Sequence, residues 1–120
     1  MTNQFIAFTP EQKEDVLILR IKGKLDAVSS SEIEREIFQY IETGNIKILL
    51  DLKDVPYISS PGLRMLLSVN KKLQTKSGKL ILFAITQNVF EILSISGFDH
   101  ILQHCETESE GMELIKENKK

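Results

Sequence analysis

Residues 46–67 read IKILLDLKDVPYISSPGLRMLL. The first part, Ile46–Leu52, is short and almost continuously apolar, the pattern of a strand buried on both faces. Beyond a loop, Pro61–Thr75 carries Leu63, Leu66, Leu67 and Leu73 at helical spacing, and Gly78 supplies a stop. Lys79–Ile85 is a second buried strand. Strand, helix and strand in this order form a crossover unit, which makes the two strands parallel.

The alternation extends in both directions. Upstream, Ile33, Ile37 and Ile41 recur every four residues, between Gly44-Asn45 and a start signal at Ser29, three residues before Glu32 as in a capping box. Before a turn at Gly23–Val28 lie two β-rich segments, Phe5–Phe8 and Val16–Ile21. Polar Thr9–Asp15, which contains Pro10, separates them and reads as a hairpin turn. Downstream, Val89, Ile92 and Leu93 predict a short helix that stops at Gly97, and Phe98–Cys105 holds a last short strand. Thr107 with Glu110 repeats the capping-box spacing ahead of Met112, Leu114 and Ile115. The expected order is ββαβαβαβα, an α/β fold with a mixed, mostly parallel sheet packed with helices. The first strand is expected as an antiparallel addition at one edge.

At 120 residues, with no repeat or low-complexity linker, the chain is expected to form one domain over residues 1–120. It is long enough to bury a core without metal or disulfide staples. Fifteen Lys and Arg against seventeen Asp and Glu leave a net charge of −2, which argues against direct nucleic-acid binding. The longest apolar run, Leu80–Ile85, is too short for a membrane span. Met1–Gln12 lacks the basic-then-apolar pattern of a secretory signal. The single cysteine, Cys105, fits a reducing compartment, so a cytoplasmic location is expected.

Enzyme signatures are missing. Gly62, Gly78 and Gly97 stand alone rather than in a phosphate-cradling loop, and no Gly-x-Ser-x-Gly elbow occurs. His100 and His104 are four apart, but they fall in a segment read as turn and strand, and a metal would need a third ligand. Nothing basic is arranged around Cys105 to make it a nucleophile. Neither catalysis, nor a metal, nor a cofactor is therefore expected. The informative residues lie where the strand 46–52 gives way to a helix. Pro61 suits a first helical position, which makes Ser60 the expected N-cap, with Gly62 giving a partner close access to backbone. A loop at the carboxyl end of a strand is the usual binding place in an α/β sheet. Ser60 reads two ways: as a plain helix cap, or as a phosphoryl acceptor whose added charge the helix dipole stabilises.

At these residues the chain resembles the STAS domain, in the branch of bacterial anti-sigma factor antagonists. Tyr57-Ile58-Ser59-Ser60-Pro61-Gly62-Leu63 resembles the family signature that opens a helix after a strand ending in Asp-Leu. Gly23-Lys24-Leu25-Asp26 resembles the Gly-x-Leu-Asp segment after the second strand. Val89–Leu93 through Gly97-Phe98 resembles the third helix and its glycine stop, so the likeness spans nearly the whole chain.

The resemblance implies a regulatory binding protein. In this family the unmodified antagonist binds an anti-sigma factor, itself a serine kinase, and thereby frees a sigma factor. The kinase then phosphorylates the antagonist, which releases it, and a serine phosphatase resets the switch; ATP belongs to the partner. Carried over by position, the phosphoacceptor is Ser60, with Ser59 as the lesser alternative where many members have Asp. Pro61 occupies a site commonly held by Ser, Thr or Ala. Asp26 is expected to flank the site and Asp51 to be structural. Arg64 and Met65 lie off the leucine stripe and are expected to face outward, so the expected partner surface is Asp26, Ser59, Ser60, Pro61, Gly62, Arg64 and Met65. An alternative implied by the same resemblance is a STAS subunit of another assembly, such as a lipid-transport ABC complex or a stress-signalling scaffold. The adjacent Ser59-Ser60 pair favours the switch.

Overall fold

A computed structural model describes residues 7–117. Its elements run β1 (Ala7–Lys13), β2 (Val16–Lys22), α1 (Ala27–Glu42), β3 (Lys47–Asp54), α2 (Ser60–Thr75), β4 (Lys79–Phe83), α3 (Gln87–Ser96), a 3-10 turn (Phe98–His100), β5 (His104–Cys105) and α4 (Glu108–Lys116). The sheet order is β1-β2-β3-β4-β5. β1 pairs antiparallel with β2, and every later pair is parallel. The expected α/β order and the antiparallel edge strand are both present.

Period-two alternation within β2, β3 and β4 divides the core in two. Leu17, Leu19, Ile48, Leu50, Leu80 and Leu82 pack under α1, α2 and α3. Val16, Ile18, Leu49, Ile81 and Phe83 point the other way, toward Ile115 of α4. β3 is therefore buried on both faces, as its nearly unbroken apolar sequence predicts.

Pro10 lies inside β1, opposite Leu19, instead of in the turn. An edge strand tolerates proline because one side of its backbone faces no neighbour. The turn is the two residues Glu14-Asp15, with Glu14 at φ 57°. Of the expected first segment, Phe5 and Ile6 lie outside the described residues. The start of α1 also moves: Asp26 is the N-cap, accepting from the Ser29 amide at 3.0 Å, while the Ser29 hydroxyl accepts from the Asp26 amide. Ser29 is thus the reciprocal partner of the box rather than its cap.

One charged pair interrupts the apolar strands on the α4 side. Arg20 and Asp51 are register partners on β2 and β3. Arg20 Nη1 lies 2.9 Å from Asp51 Oδ2 and 3.1 Å from Glu108 Oε1, and Nη2 lies 2.7 Å from Glu11 Oε1. Asp51 is only 3% exposed. Burial works against its charge, but the Lys53 amide and the Arg20 and Lys53 side chains outweigh that cost and hold its pKa below the usual range. Glu108, hydrogen-bonded by Lys13 and then Arg20, is lowered as well.

A carboxylate with a depressed folded-state pKa stabilises above its unfolded value of about 4, and that stabilisation is lost as pH falls through the folded value. Urea midpoints should therefore hold near neutrality and fall on acidification below about pH 4. In Asp51→Asn the acid limb should be shallower, measured as midpoint against pH. The seating of α2 has its own test. Leu66 is fully buried, and Leu66→Ala should cost about 2–5 kcal/mol by chemical denaturation.

Candidate functional site

The carboxyl end of β3 is held by main-chain contacts with the segment before α1. Gly23 N donates to Asp54 O, Leu25 N donates to Tyr57 O, and Ser59 N donates to Leu25 O, at 3.0, 3.0 and 2.9 Å. Leu25 and Ile58 form an isolated parallel bridge, and both side chains are buried. Val55 is buried too, and its carbonyl accepts from Thr86 Oγ1 at 3.1 Å. Four pinned points thus fix the path of the loop into α2.

The helix begins one residue earlier than the sequence suggests. Ser59 is the N-cap: its hydroxyl donates to Leu25 O at 2.9 Å and accepts from Gly62 N at 3.4 Å. Ser60 is the first helical residue and Pro61 the second. Two adjacent serines before a proline offer two possible caps, and the acceptor at Leu25 O, remote in sequence, selects Ser59. Ser60 is exposed, and among the described residues no hydrogen bond engages its hydroxyl.

Gly62 is buried, so it offers a partner no open backbone. A Cβ there would stand 2.6 Å from Ile58 Cγ1 and 2.9 Å from Leu25 O. The glycine serves an internal close approach between α2 and the loop segments. Met65 likewise turns inward, only 2% exposed, rather than facing outward. The reason is that α2 packs on α1 as well as on the sheet, which widens its buried arc beyond the leucine stripe. That arc also takes Val69, which the stripe did not include. Arg64 is exposed as expected. Between α1 and α2 runs an open groove of about 670 Å³, bordered by Ala27, Ser30 and Glu34 on one side and Pro61, Arg64 and Met65 on the other.

Asp26 lies between Leu25, which is hydrogen-bonded to the loop before α2, and Ala27, which borders the groove. The Ser29 amide holds its carboxyl below the usual carboxylate range. Two exposed apolar side chains in the flanking segments were not singled out in the sequence: Val28 in the first turn of α1, at 70% exposure, and Tyr57 in the loop before α2, at 47%. Tyr57 sits inside the quoted signature; Val28 gave no signal beyond falling off the isoleucine stripe. Elsewhere, His100 ends the 3-10 turn while His104 lies in β5, so the pair shares no helix face. Burial pushes the Cys105 thiol up, away from a reactive thiolate.

Comparison with known proteins gives a consistent pattern. Residues 7–111 match the STAS domain. The chain is 33% identical over 90 residues to BtrV of Bordetella bronchiseptica, provisionally named an anti-sigma factor antagonist, covering 75% of this chain and 78% of that protein. It is 25% identical over 100 residues to the anti-sigma-B factor antagonist of Listeria monocytogenes, covering 83% and 88%. The crystal structure of the Thermotoga maritima protein tm1081, also provisionally named an anti-sigma factor antagonist, superposes with a TM-score of 0.87 at 27% identity, covering 92% and 95%.

The two serines should separate cleanly in stability. Ser59→Ala removes the cap and the bond to Leu25 O and should cost about 1 kcal/mol in thermal or chemical unfolding. Ser60→Ala should stay within about 0.5 kcal/mol of the parent protein. The reverse ranking would reassign the cap.

Proposed function

The chain belongs to the STAS domain family, and on that premise we propose that it is an anti-sigma factor antagonist switched by phosphorylation of Ser60. The unmodified form binds an anti-sigma factor that is also a serine kinase, and a sigma factor is set free. In the modifying step the γ-phosphoryl group of the kinase's ATP passes to Ser60 Oγ, the hydroxyl proton is lost and ADP leaves. A serine phosphatase returns the protein to its binding form.

The observation that carries this reading is the difference between the two serines. Ser59 spends its hydroxyl on Leu25 O and on the Gly62 amide. Ser60 is exposed at the first turn of a sixteen-residue helix. A phosphoryl group there gains about 0.3–1 kcal/mol from the helix dipole, so the fold tolerates it. A docked partner meets the opposite balance. It must desolvate roughly two added negative charges and accommodate three more oxygens. Val28, Tyr57 and Arg64 supply the apolar and cationic contacts of the same surface, and Asp26, Ser59 and Pro61 its rigid frame.

Three measurements test the switch. Incubation with the cognate kinase and ATP, followed by fragment-ion mapping, should place phosphate on Ser60; phosphate on Ser59 alone overturns the assignment. Ser60→Asp should melt close to the parent protein and bind the anti-sigma factor much more weakly by calorimetry, whereas Ser60→Ala should bind and resist modification. Full binding by Ser60→Asp would remove charge as the basis of release. Capture from the native host should recover a serine kinase; transporter subunits in its place would support the lipid-transport assembly.

A further inference from the structure

Ser60 stands at a helix start that is short of main-chain donors. The first intrahelical bond of α2 runs from the Leu63 amide to the Ser59 carbonyl, so the amides of residues 60–62 are the ones a helix end offers to an anion. Pro61 has no N–H to offer. The Gly62 amide donates to Ser59 Oγ at 3.4 Å. Among the described residues, only the Ser60 amide is left. A phosphoryl group on Ser60 would keep the pull of the helix dipole, but its three acceptor oxygens would find almost no backbone to bond.

The missing donors stand four residues further on. Arg64 is exposed, and positions i and i+4 of a helix are neighbours, with their Cβ atoms about 5–6 Å apart. Long helical side chains lean toward the helix N-terminus, which points a stem at position 64 toward position 60. An anion ahead of a cation is also the favourable order for such a pair. Arg64 is unengaged: none of the ion pairs among the described residues includes it. Glu34, the carboxylate that borders the same groove, accepts from Ser68 Oγ at 2.7 Å instead. Lys71, the other cation on the groove, is eleven residues from Ser60, or about 16 Å along the helix axis, and cannot reach it.

We infer that Arg64 receives the phosphoryl group of phospho-Ser60, its planar guanidinium donating to two phosphate oxygens at once. The regulatory meaning of this pair rests on the reading of Ser60 as the acceptor. On that reading, modification withdraws the cationic contact of the docking surface in the same step that adds an anion. The partner then loses an attraction as well as meeting a repulsion. The pair itself is a property of the modified chain and can be tested without a kinase.

The test uses the full chain with phosphoserine incorporated at position 60 during translation. Phosphorus NMR follows the second ionisation of the phosphate, ordinarily near pH 6. A guanidinium beside the group favours the dianion and lowers that midpoint, so Arg64→Gln should raise it by about 0.3–1. In the parent chain the Arg64 Nε–H resonance should move with the same midpoint. Arg64→Lys should keep most of the lowering, because an ammonium at i+4 also pairs with the dianion. Lys24→Gln is the control for loss of one positive charge: Lys24 is exposed and adjoins Leu25, whose carbonyl holds Ser59. Its loss should move the midpoint less than loss of Arg64. Equal midpoints in the parent chain and Arg64→Gln, or a larger effect of Lys24→Gln, overturns the inference. A kinase that modifies a different residue would overturn the switch at Ser60 and leave this pair standing.

Discussion

β3 must be covered on both sides, and the rest of the architecture follows from that requirement. A strand of IKILLDL composition cannot leave either face in water, so helices are needed above and below the sheet. α1, α2 and α3 cover one side and α4 the other. The single exception is Asp51, a carboxylate placed where only apolar side chains would be comfortable. A buried charge adds little net stability even when paired, but an unpaired one is costly. Arg20 is therefore tied to β3, and through Glu108 to the start of α4. We regard this group as fixing which strands and which helix end meet, more than as a source of stability.

The position of the candidate site is a consequence of close packing one layer deeper. The segment at Leu25 pairs with the loop at Ile58 and Ser59, and α2 approaches both so closely that position 62 has room only for hydrogen. Because the loop is held at several main-chain points, Ser60 projects from a rigid platform. A charge added there would have no slack loop to relax into, so under the proposed function its effect would fall on the docked partner. This is what a switch that leaves the fold intact requires.

Much of this was legible in the sequence, and most of the failures share a cause. The order of elements could be read because the runs at 46–52 and 79–85 and the isoleucine repeat at 33, 37 and 41 are strongly periodic. The start of each of the first two long helices was misplaced because several capping residues stand side by side, in DAVSSSE and in ISSP. Local pattern does not rank them: at α1 the cap is Asp26, with Ser29 turned back to the Asp26 amide and the Lys24 carbonyl, and at α2 the Leu25 carbonyl selects Ser59. Met65 was misread because a stripe describes one buried face and α2 has two. Pro10 was assigned to the turn because its tolerance in a strand depends on that strand lying at an edge. The errors at Ser59, Met65 and Pro10 each concern a neighbour on another element, which periodicity does not encode.

The strand order of the sheet equals the order of strands in the chain. Each new strand after the first hairpin is laid beside the one just completed, and the intervening helix closes over the pair. No strand waits for a partner made much later, so every loop-closure step is short. A nascent chain leaving the ribosome can therefore add one strand and one helix at a time onto a growing template, with α4 arriving last to seal the opposite face. For a mostly parallel sheet, whose pairing is otherwise slow, that vectorial order limits how long any strand edge waits for its partner.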